Sequence, residues 1–218
     1  MKKLIQQIDN RSAKVVVIGI GYVGLPLAVE IARAGYQTVG IDVDRAKVDA
    51  VNQGRSYIGD VPGSDVAEMV RAGRLKASTS YRLCAECEII NICVPTPFTA
   101  TKDPDVSYIV DAGREVARYL RRGQLIILRS TTYPETTEKV LLPILEQSGL
   151  KVGQDFFLSF APERIDPGNK KWTIKTTPVV IGGVTRKCTD LSCRFYAQVV
   201  DRVVPVSSPR VAEMSKLL

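Results

Sequence analysis

The sequence predicts an α/β fold: a doubly wound, mostly parallel sheet with helices on both faces. Three observations carry that expectation. From Lys14 onward, short apolar runs alternate with helical patterns; the apolar runs are unbroken; and the first of them ends in a glycine-rich turn that opens a helix. Parallel strands need crossover connections, usually helices, and the covered sheet then buries both faces of each strand. The 218 residues suffice for one large domain, and no repeat, low-complexity tract or flexible linker divides them.

Taken in order, residues 1–13 form a short amphipathic helix or arm, and "KVVVIG" is the first buried strand. "YVGLPLAVEIARAG" is a helix closed by Gly35, because glycine readily takes the left-handed conformation that ends helices. "QTVGID" is the second strand, followed by a helix from Asp44 to Gln53 and the turn-rich stretch "GRSYIGDVPGS". "DVAEMVRAGR" and "LKAST" give a helix and a strand, and Pro95 stops the strand "CEIINICVP". In "DVSYIVDAGREVARYL" the expected buried face is Val106, Ile109, Val110, Gly113, Ala117 and Leu120. "QLIILRS" is a strand, "ETTEKVLLPILEQSG" a helix interrupted at Pro143, and "DFFLSFAP" a strand. "PVVIGG" and "RVVPV" are the last strands, with a helix between them around Thr185 to Val200. A new helix then starts at residues 207–218, with Ser208 as N-cap and Pro209 in the first helical position. Its expected apolar face is Val211, Met214, Leu217 and Leu218, and no stop signal ends it. The main domain therefore runs from 14 to 206.

Composition narrows the function classes. Apolar residues make up 45%, and the longest apolar runs are far too short to span a bilayer, so no membrane association is expected. The N-terminus has no apolar core of signal-peptide length, which points to a cytoplasmic protein. Five unevenly spaced cysteines fit reduced thiols in that compartment. Cys84 and Cys87 form a C-x-x-C with no companion pair, and the chain has no histidine, so a structural role is expected and no metal site. The net charge of +7 is spread over the chain, without the interleaved aromatics of a nucleic-acid stacking platform. A solvated basic surface, or a field favouring an anionic small molecule, accounts for it.

The chemistry starts at "VVVIGIGYVGLPLA", where Gly19, Gly21 and Gly24 have G-x-G-x-x-G spacing around Tyr22 and Val23. The pattern is weak alone. Between a first strand and a first helix, it is the phosphate loop of a Rossmann-like dinucleotide site. The helix N-terminus offers N–H groups and a positive dipole end to a pyrophosphate. Asp42 follows Gly24 by 18 residues at the end of the second strand, where a carboxylate accepts hydrogen bonds from the adenosine ribose. That carboxylate would repel a 2′-phosphate, which favours NAD over NADP; the nearby Arg45 and Lys47 act against this preference.

In an open parallel sheet, ligands lie beyond the carboxyl ends of the strands. Three such ends carry polar groups. Thr96 lies between two prolines in "ICVPTP", Ser130, Thr131 and Thr132 precede a Pro-initiated helix in "RSTTYP", and Glu163 and Arg164 lie in "APERIDPGN". Taken singly, the hydroxyls could be helix caps and the charges a surface pair. Together, at the edge that carries the phosphate loop, they point to a site.

"VIGIGYVGLPLA", "ICVPTP", "STTYP", "APERIDPGN", "VIGG", "DRVVPVSS" and "AEMSKLL", in this order, resemble the UDP-glucose/GDP-mannose dehydrogenase family over about residues 14 to 218. "PERIDPGN" with "STTYPETT" is most similar to the branch acting on UDP-N-acetyl-D-glucosamine. The resemblance implies oxidation of a sugar C6 alcohol to a carboxylate with two NAD, in the service of polysaccharide biosynthesis. It implies an N-terminal NAD domain, a central helix that builds a homodimer, and a C-terminal domain that holds the UDP-sugar. It also implies roles by position. Val94 and Thr96 line the nicotinamide side, Thr131 places a catalytic water, Glu163 does acid/base work during thioester hydrolysis, and Lys216 faces the reacting oxygen. The family's helical Asn after "KLL" and its Gly-Gly-x-Cys nucleophile have no counterpart here. The chain is thus expected to be the cofactor part of such an enzyme, inactive on a sugar nucleotide by itself. Two other readings of the residues stay open: a stand-alone NAD-binding module, and the NAD domain of a related hydroxyacid-type dehydrogenase.

Overall fold

Alternate residues of a strand point to opposite faces, and in this chain both sets are apolar. Val15, Val17, Ile89, Leu125, Ile127 and Phe157 enter one buried cluster. Val16, Ile18, Ile90, Ile92, Ile126 and Leu128 enter the other. A strand apolar on both faces must lie inside a three-layer stack. A computed structural model shows that stack and describes residues 1–97, 104–163 and 173–217. The strands are β1 (Lys14–Ile18), β2 (Gln37–Ile41), β3 (Leu75–Ser78), β4 (Ile89–Ile92), β5 (Leu125–Leu128), β6 (Phe157–Phe160), β7 (Val179–Gly183) and β8 (Val203–Val206). They form one sheet in the order β3-β2-β1-β4-β5-β6-β7-β8. Rossmann-like winding is therefore established, with its reversal of strand order between β1 and β4.

The helices are α1 (Lys2–Asp9), α2 (Gly24–Arg33), α3 (Arg45–Asn52), α4 (Gly63–Arg71), α5 (Ser107–Tyr119), α6 (Leu142–Glu146), α7 (Arg186–Tyr196) and α8 (Pro209–Leu217). Helices α1, α2, α3, α4 and α7 bury side chains in the first cluster; α5, α6 and α8 do so in the second. The N-terminal segment is part of the core. Leu4 and Ile8 of α1 are buried, the Tyr36 hydroxyl donates to the Ile8 carbonyl at 2.9 Å, and Arg194 grips Asp9 through two bonds of 2.6 and 2.7 Å.

Strand direction decides what reaches the upper edge of the sheet. Register pairs Ile18 with Ile92, Ile92 with Leu128, and Leu128 with Phe160, so β1, β4, β5 and β6 all end on one side. Strand β7 runs antiparallel to β6, and β8 parallel to β7. A helix that follows a descending strand climbs, so α8 rises toward the edge where β1, β4, β5 and β6 end.

Two expected helix faces are corrected. On α5, Ile109 and Gly113 are buried and Val106, Ala117 and Leu120 pack half-buried against the second cluster, as expected, but the buried face also includes Ala112 and Val116, while Val110 is half-buried. On α8, Pro209, Ala212 and Glu213 are buried, whereas Val211 and Met214 are 44% and 40% exposed. The face that packs carries a carboxylate because that carboxylate has partners, described below. Around Pro143, which has no backbone N–H to donate, Thr136–Leu141 winds as a wide π-helix that hands over to α6.

All five cysteines are free, with Cys84, Cys87, Cys93 and Cys188 buried. Cys84 lies within a 3-10 helix, Tyr81–Glu86, and Cys87 directly follows it; both carbonyls accept from the buried Gln124 amide, at 2.7 and 2.6 Å. Among the described residues no helix is long and apolar enough to cross a membrane.

Candidate functional site

The chain leaves β1 through Gly19, whose φ of +84° is open to glycine at little cost. A Cβ there would stand 2.6 Å from the Cys93 carbonyl oxygen and 3.2 Å from Val94 Cα, so the loop after β1 presses on the loop after β4. A Cβ on Gly24, the first residue of α2, would overlap the Gly19 carbonyl. Gly21 differs. It has no left-handed φ, and a Cβ on it would meet nothing within 4 Å. Neither backbone strain nor protein packing requires glycine at this position. Close approach of a ligand to the backbone would require it, and a pyrophosphate at the start of α2 is a group that could make such an approach. Helix α2 has no side-chain cap; its Leu25 N–H already donates to the Gly21 carbonyl at 3.0 Å and Pro26 has no N–H, so the amides that could meet such a ligand are those of the turn up to Gly24. Tyr22 is 70% exposed over this loop, and half-buried Val23 packs against the core.

Asp42, one residue past β2, is held facing the loop. Its Oδ2 accepts from the Ile20 N–H and its Oδ1 from the Asp44 N–H, both at 3.0 Å. Lys47, on α3, brings its ammonium to 3.6 Å from Oδ2. A carboxylate can accept about four hydrogen bonds, so ribose hydroxyls can add to the two backbone donors. Tyr57 also holds this loop, donating to the Ile20 carbonyl at 2.5 Å.

At the neighbouring strand ends the structure links the other expected residues. Val94 and Thr96 are half-buried after β4. Ser130 is buried after β5 and donates to the Val94 carbonyl at 2.8 Å, which joins these two loops. Thr131 is exposed. Thr132 donates to Thr136 Oγ1 at 2.6 Å, and Thr136 donates to the Tyr133 carbonyl at 2.8 Å, so the turn beyond Thr131 is stiffened from within. Glu163, beyond β6, turns its carboxylate inward onto Arg129, and Lys216 of α8 donates to the Glu163 carbonyl. Glu163 and Lys216 are thus in direct contact, while Thr131 shares their sheet edge. Arg164 and the rest of "RIDPGN" lie outside the described residues, as does Leu218.

Arg129 is the residue that the motifs do not disclose. It is 1% exposed, pairs with Glu163, and lies 5.1 Å from the centre of the Tyr196 ring. The Tyr196 hydroxyl donates to Asn91 at 2.6 Å. Burial works against the guanidinium's charge, but the adjoining Tyr196, Glu163 and Cys93 outweigh it and hold Arg129 above its ordinary range. The available signal was an arginine ending the apolar run "LIILR", since a charge that close to a core strand needs a partner. Glu213 gave no such signal, because its helix reads as if it packs through another face.

The family described as UDP-glucose/GDP-mannose dehydrogenase family, NAD binding domain, matches residues 13–200. The UDP-N-acetyl-D-glucosamine 6-dehydrogenase of Pseudomonas aeruginosa is 34% identical over 210 residues, which cover 95% of this chain and 49% of that protein. A solved UDP-D-ManNAc dehydrogenase from Pyrococcus horikoshii superposes with a TM-score of 0.88 at 35% identity, covering 94% of this chain and 49% of that one. A solved NDP-N-acetyl-D-galactosaminuronic acid dehydrogenase from Methanosarcina mazei gives 0.87 at 32% identity, covering 99% and 49%. The chain therefore spans about half the length of the relatives it matches.

Proposed function

We propose a function from one premise: this chain belongs to the UDP-glucose/GDP-mannose dehydrogenase family, as its NAD-binding domain. The cofactor is NAD, which, when bound, accepts the hydride taken from a nucleotide sugar. The observation that carries the reading is the open space at Gly21 beside the fixed Asp42 carboxylate. In our reading Gly19, Gly21, Tyr22, Val23 and Gly24 receive the pyrophosphate. Asp42 binds the adenosine ribose, and its carboxylate repels a 2′-phosphate, a preference that the Lys47 ammonium 3.6 Å from it weakens without reversing. Val94, Thr96, Ser130 and Thr131 border the nicotinamide half; the Ser130 bond to the Val94 carbonyl, which joins their two loops, supports this.

The finer assignment is a UDP-N-acetylglucosamine 6-dehydrogenase. It rests on "PERIDPGN" and "STTYPETT", and the relatives' names span three amino sugars. Thr131 would hold a water at the sugar, Glu163 would exchange protons with it, and Lys216 would stabilise negative charge on the reacting oxygen. The UDP-sugar would be held by a C-terminal half, in a cytoplasmic homodimer joined through the helix begun at residues 207–218. The NAD domain would run from 14 to 206, with 1–13 as its N-terminal appendage. None of the five cysteines sits in a Gly-Gly-x-Cys setting, so this chain alone would form no thioester.

Calorimetric titration of the 218-residue chain with NAD⁺ tests the reading. Saturable binding is expected, with NADP⁺ at least about tenfold weaker because its phosphate meets Asp42. No NADH should accumulate with UDP-N-acetylglucosamine. Absence of NAD⁺ binding would refute the site, and sustained NADH formation would refute the dependence on a second half.

A further inference from the structure

Glu213 is an ionisable side chain with 0% exposure on a helix whose sequence gives no reason to bury it. Its carboxylate is fully engaged with one short segment of chain. Oε2 accepts from the Glu135 N–H at 2.6 Å; Oε1 accepts from the Thr137 N–H at 2.9 Å and from the Thr137 hydroxyl at 2.7 Å. Three donors on one carboxylate make a charge-assisted clamp.

What the clamp grips is unusual. Glu135 has φ +77°, a left-handed conformation that non-glycine residues adopt only when their surroundings impose it. It directly follows Tyr133 and Pro134, and so ends the loop that carries Ser130 and Thr131. Arg210, one turn before Glu213 on α8, pairs with the Glu135 carboxylate. The loop is therefore fixed at both ends: Ser130 to the Val94 carbonyl at its start, and Glu135 to α8 at its finish. Helix α8 is itself seated, because its entry at Ser208 lies against Gly182, where a Cβ would overlap the Ser208 carbonyl.

We propose that Glu213 is a positioning residue of the cofactor site: it holds Glu135 in its left-handed turn and thereby sets the place of Ser130 and Thr131 against the nicotinamide half. The inference rests on the NAD reading of those loops. It assigns the start of α8 a role in binding that is separate from Lys216.

A merely structural carboxylate would act on the whole fold, whereas a positioning one acts on half of the ligand. ADP-ribose occupies the Gly19–Gly24 and Asp42 end without a nicotinamide, so comparing it with NAD⁺ separates the two. The experiment titrates the wild-type chain and Glu213→Gln with each ligand. Glutamine keeps one acceptor oxygen and presents an amide to donors where the other oxygen stood. The expected result is NAD⁺ affinity down about tenfold with ADP-ribose affinity changed less than about twofold. Equal losses for the two ligands, or no loss for either, would overturn the proposal. Should Glu213→Gln fail to fold, Thr137→Val removes a single donor at near-constant volume, and about threefold loss specific to NAD⁺ is expected. A wild-type chain that binds no NAD⁺ overturns the functional reading and this inference together. One that binds it, with unchanged variants, overturns this inference alone.

Discussion

Three glycines with the same letter in one motif answer to three different physical demands, and substitution separates them. Gly24→Ala forces a Cβ into the Gly19 carbonyl, backbone against backbone, with no flexible side chain to yield. A loss of at least about 3 kcal/mol in unfolding free energy is expected, read from urea melts. Gly21→Ala adds a methyl group to empty space, so stability should stay within about 1 kcal/mol of wild type, while NAD⁺ affinity falls at least about tenfold. If Gly21→Ala binds NAD⁺ normally, the cofactor does not approach this backbone. The sequence made these residues and Asp42 legible because the phosphate loop is local: strand, turn, helix and acid follow within about 30 residues. Arg129 and Glu213 were not legible as partners. Their carboxylate and amide counterparts lie 34 and 76 to 78 positions away, and only the completed sheet brings them together.

Among elements, position was readable and orientation was less so. Apolar runs place β1 to β8 and the helices between them because a buried strand shows in composition alone. A helix face depends on what lies opposite, and on α8 the partner is a polar backbone turn; Ala212 and Glu213 face inward and Val211 and Met214 outward. Periodicity of apolar residues cannot report a face chosen by hydrogen bonds. Helix α1 allows a quantitative test of which force docks an element. Ile8 is 0% exposed in the core, whereas Asp9 and Arg194 have side chains 41% and 49% exposed. Exposed ion pairs are worth at most about 1 kcal/mol, and a buried Ile→Ala change costs about 2–5 kcal/mol. Ile8→Ala should therefore destabilise the chain by several times more than Asp9→Asn in denaturant melts. The reverse ranking would mean that the Asp9–Arg194 pair, not burial, attaches α1.

For the whole molecule, the distribution of buried acidic hydrogens sets the pH range over which the fold holds. Burial pushes the Cys84, Cys87 and Cys93 thiols from 9.0 up to about 12, and the Tyr36 and Tyr81 phenols from 10.0 up to about 12. These groups lie on both faces of the sheet, so no layer escapes their titration. The sign follows from linkage. Each group is protonated in both states below its unfolded value, and its contribution to stability is then fully present. Above that value the unfolded chain releases the proton while the folded chain keeps it, so stability falls until the folded group ionises as well. The loss should begin near pH 9 with the thiols, steepen past pH 10 as the phenols join, and continue to about pH 12. The chain has no histidine, so no side chain with an ordinary value near neutrality adds a slope below that window. Thermal melts from pH 7 to 11 should show a plateau followed by a decline. Cys84→Ala with Cys87→Ala should start lower, because two buried side chains are trimmed, yet decline less steeply above pH 9, because two of the titrating protons are gone. An alkaline decline of the same steepness in that double variant would place the pH sensitivity outside Cys84 and Cys87.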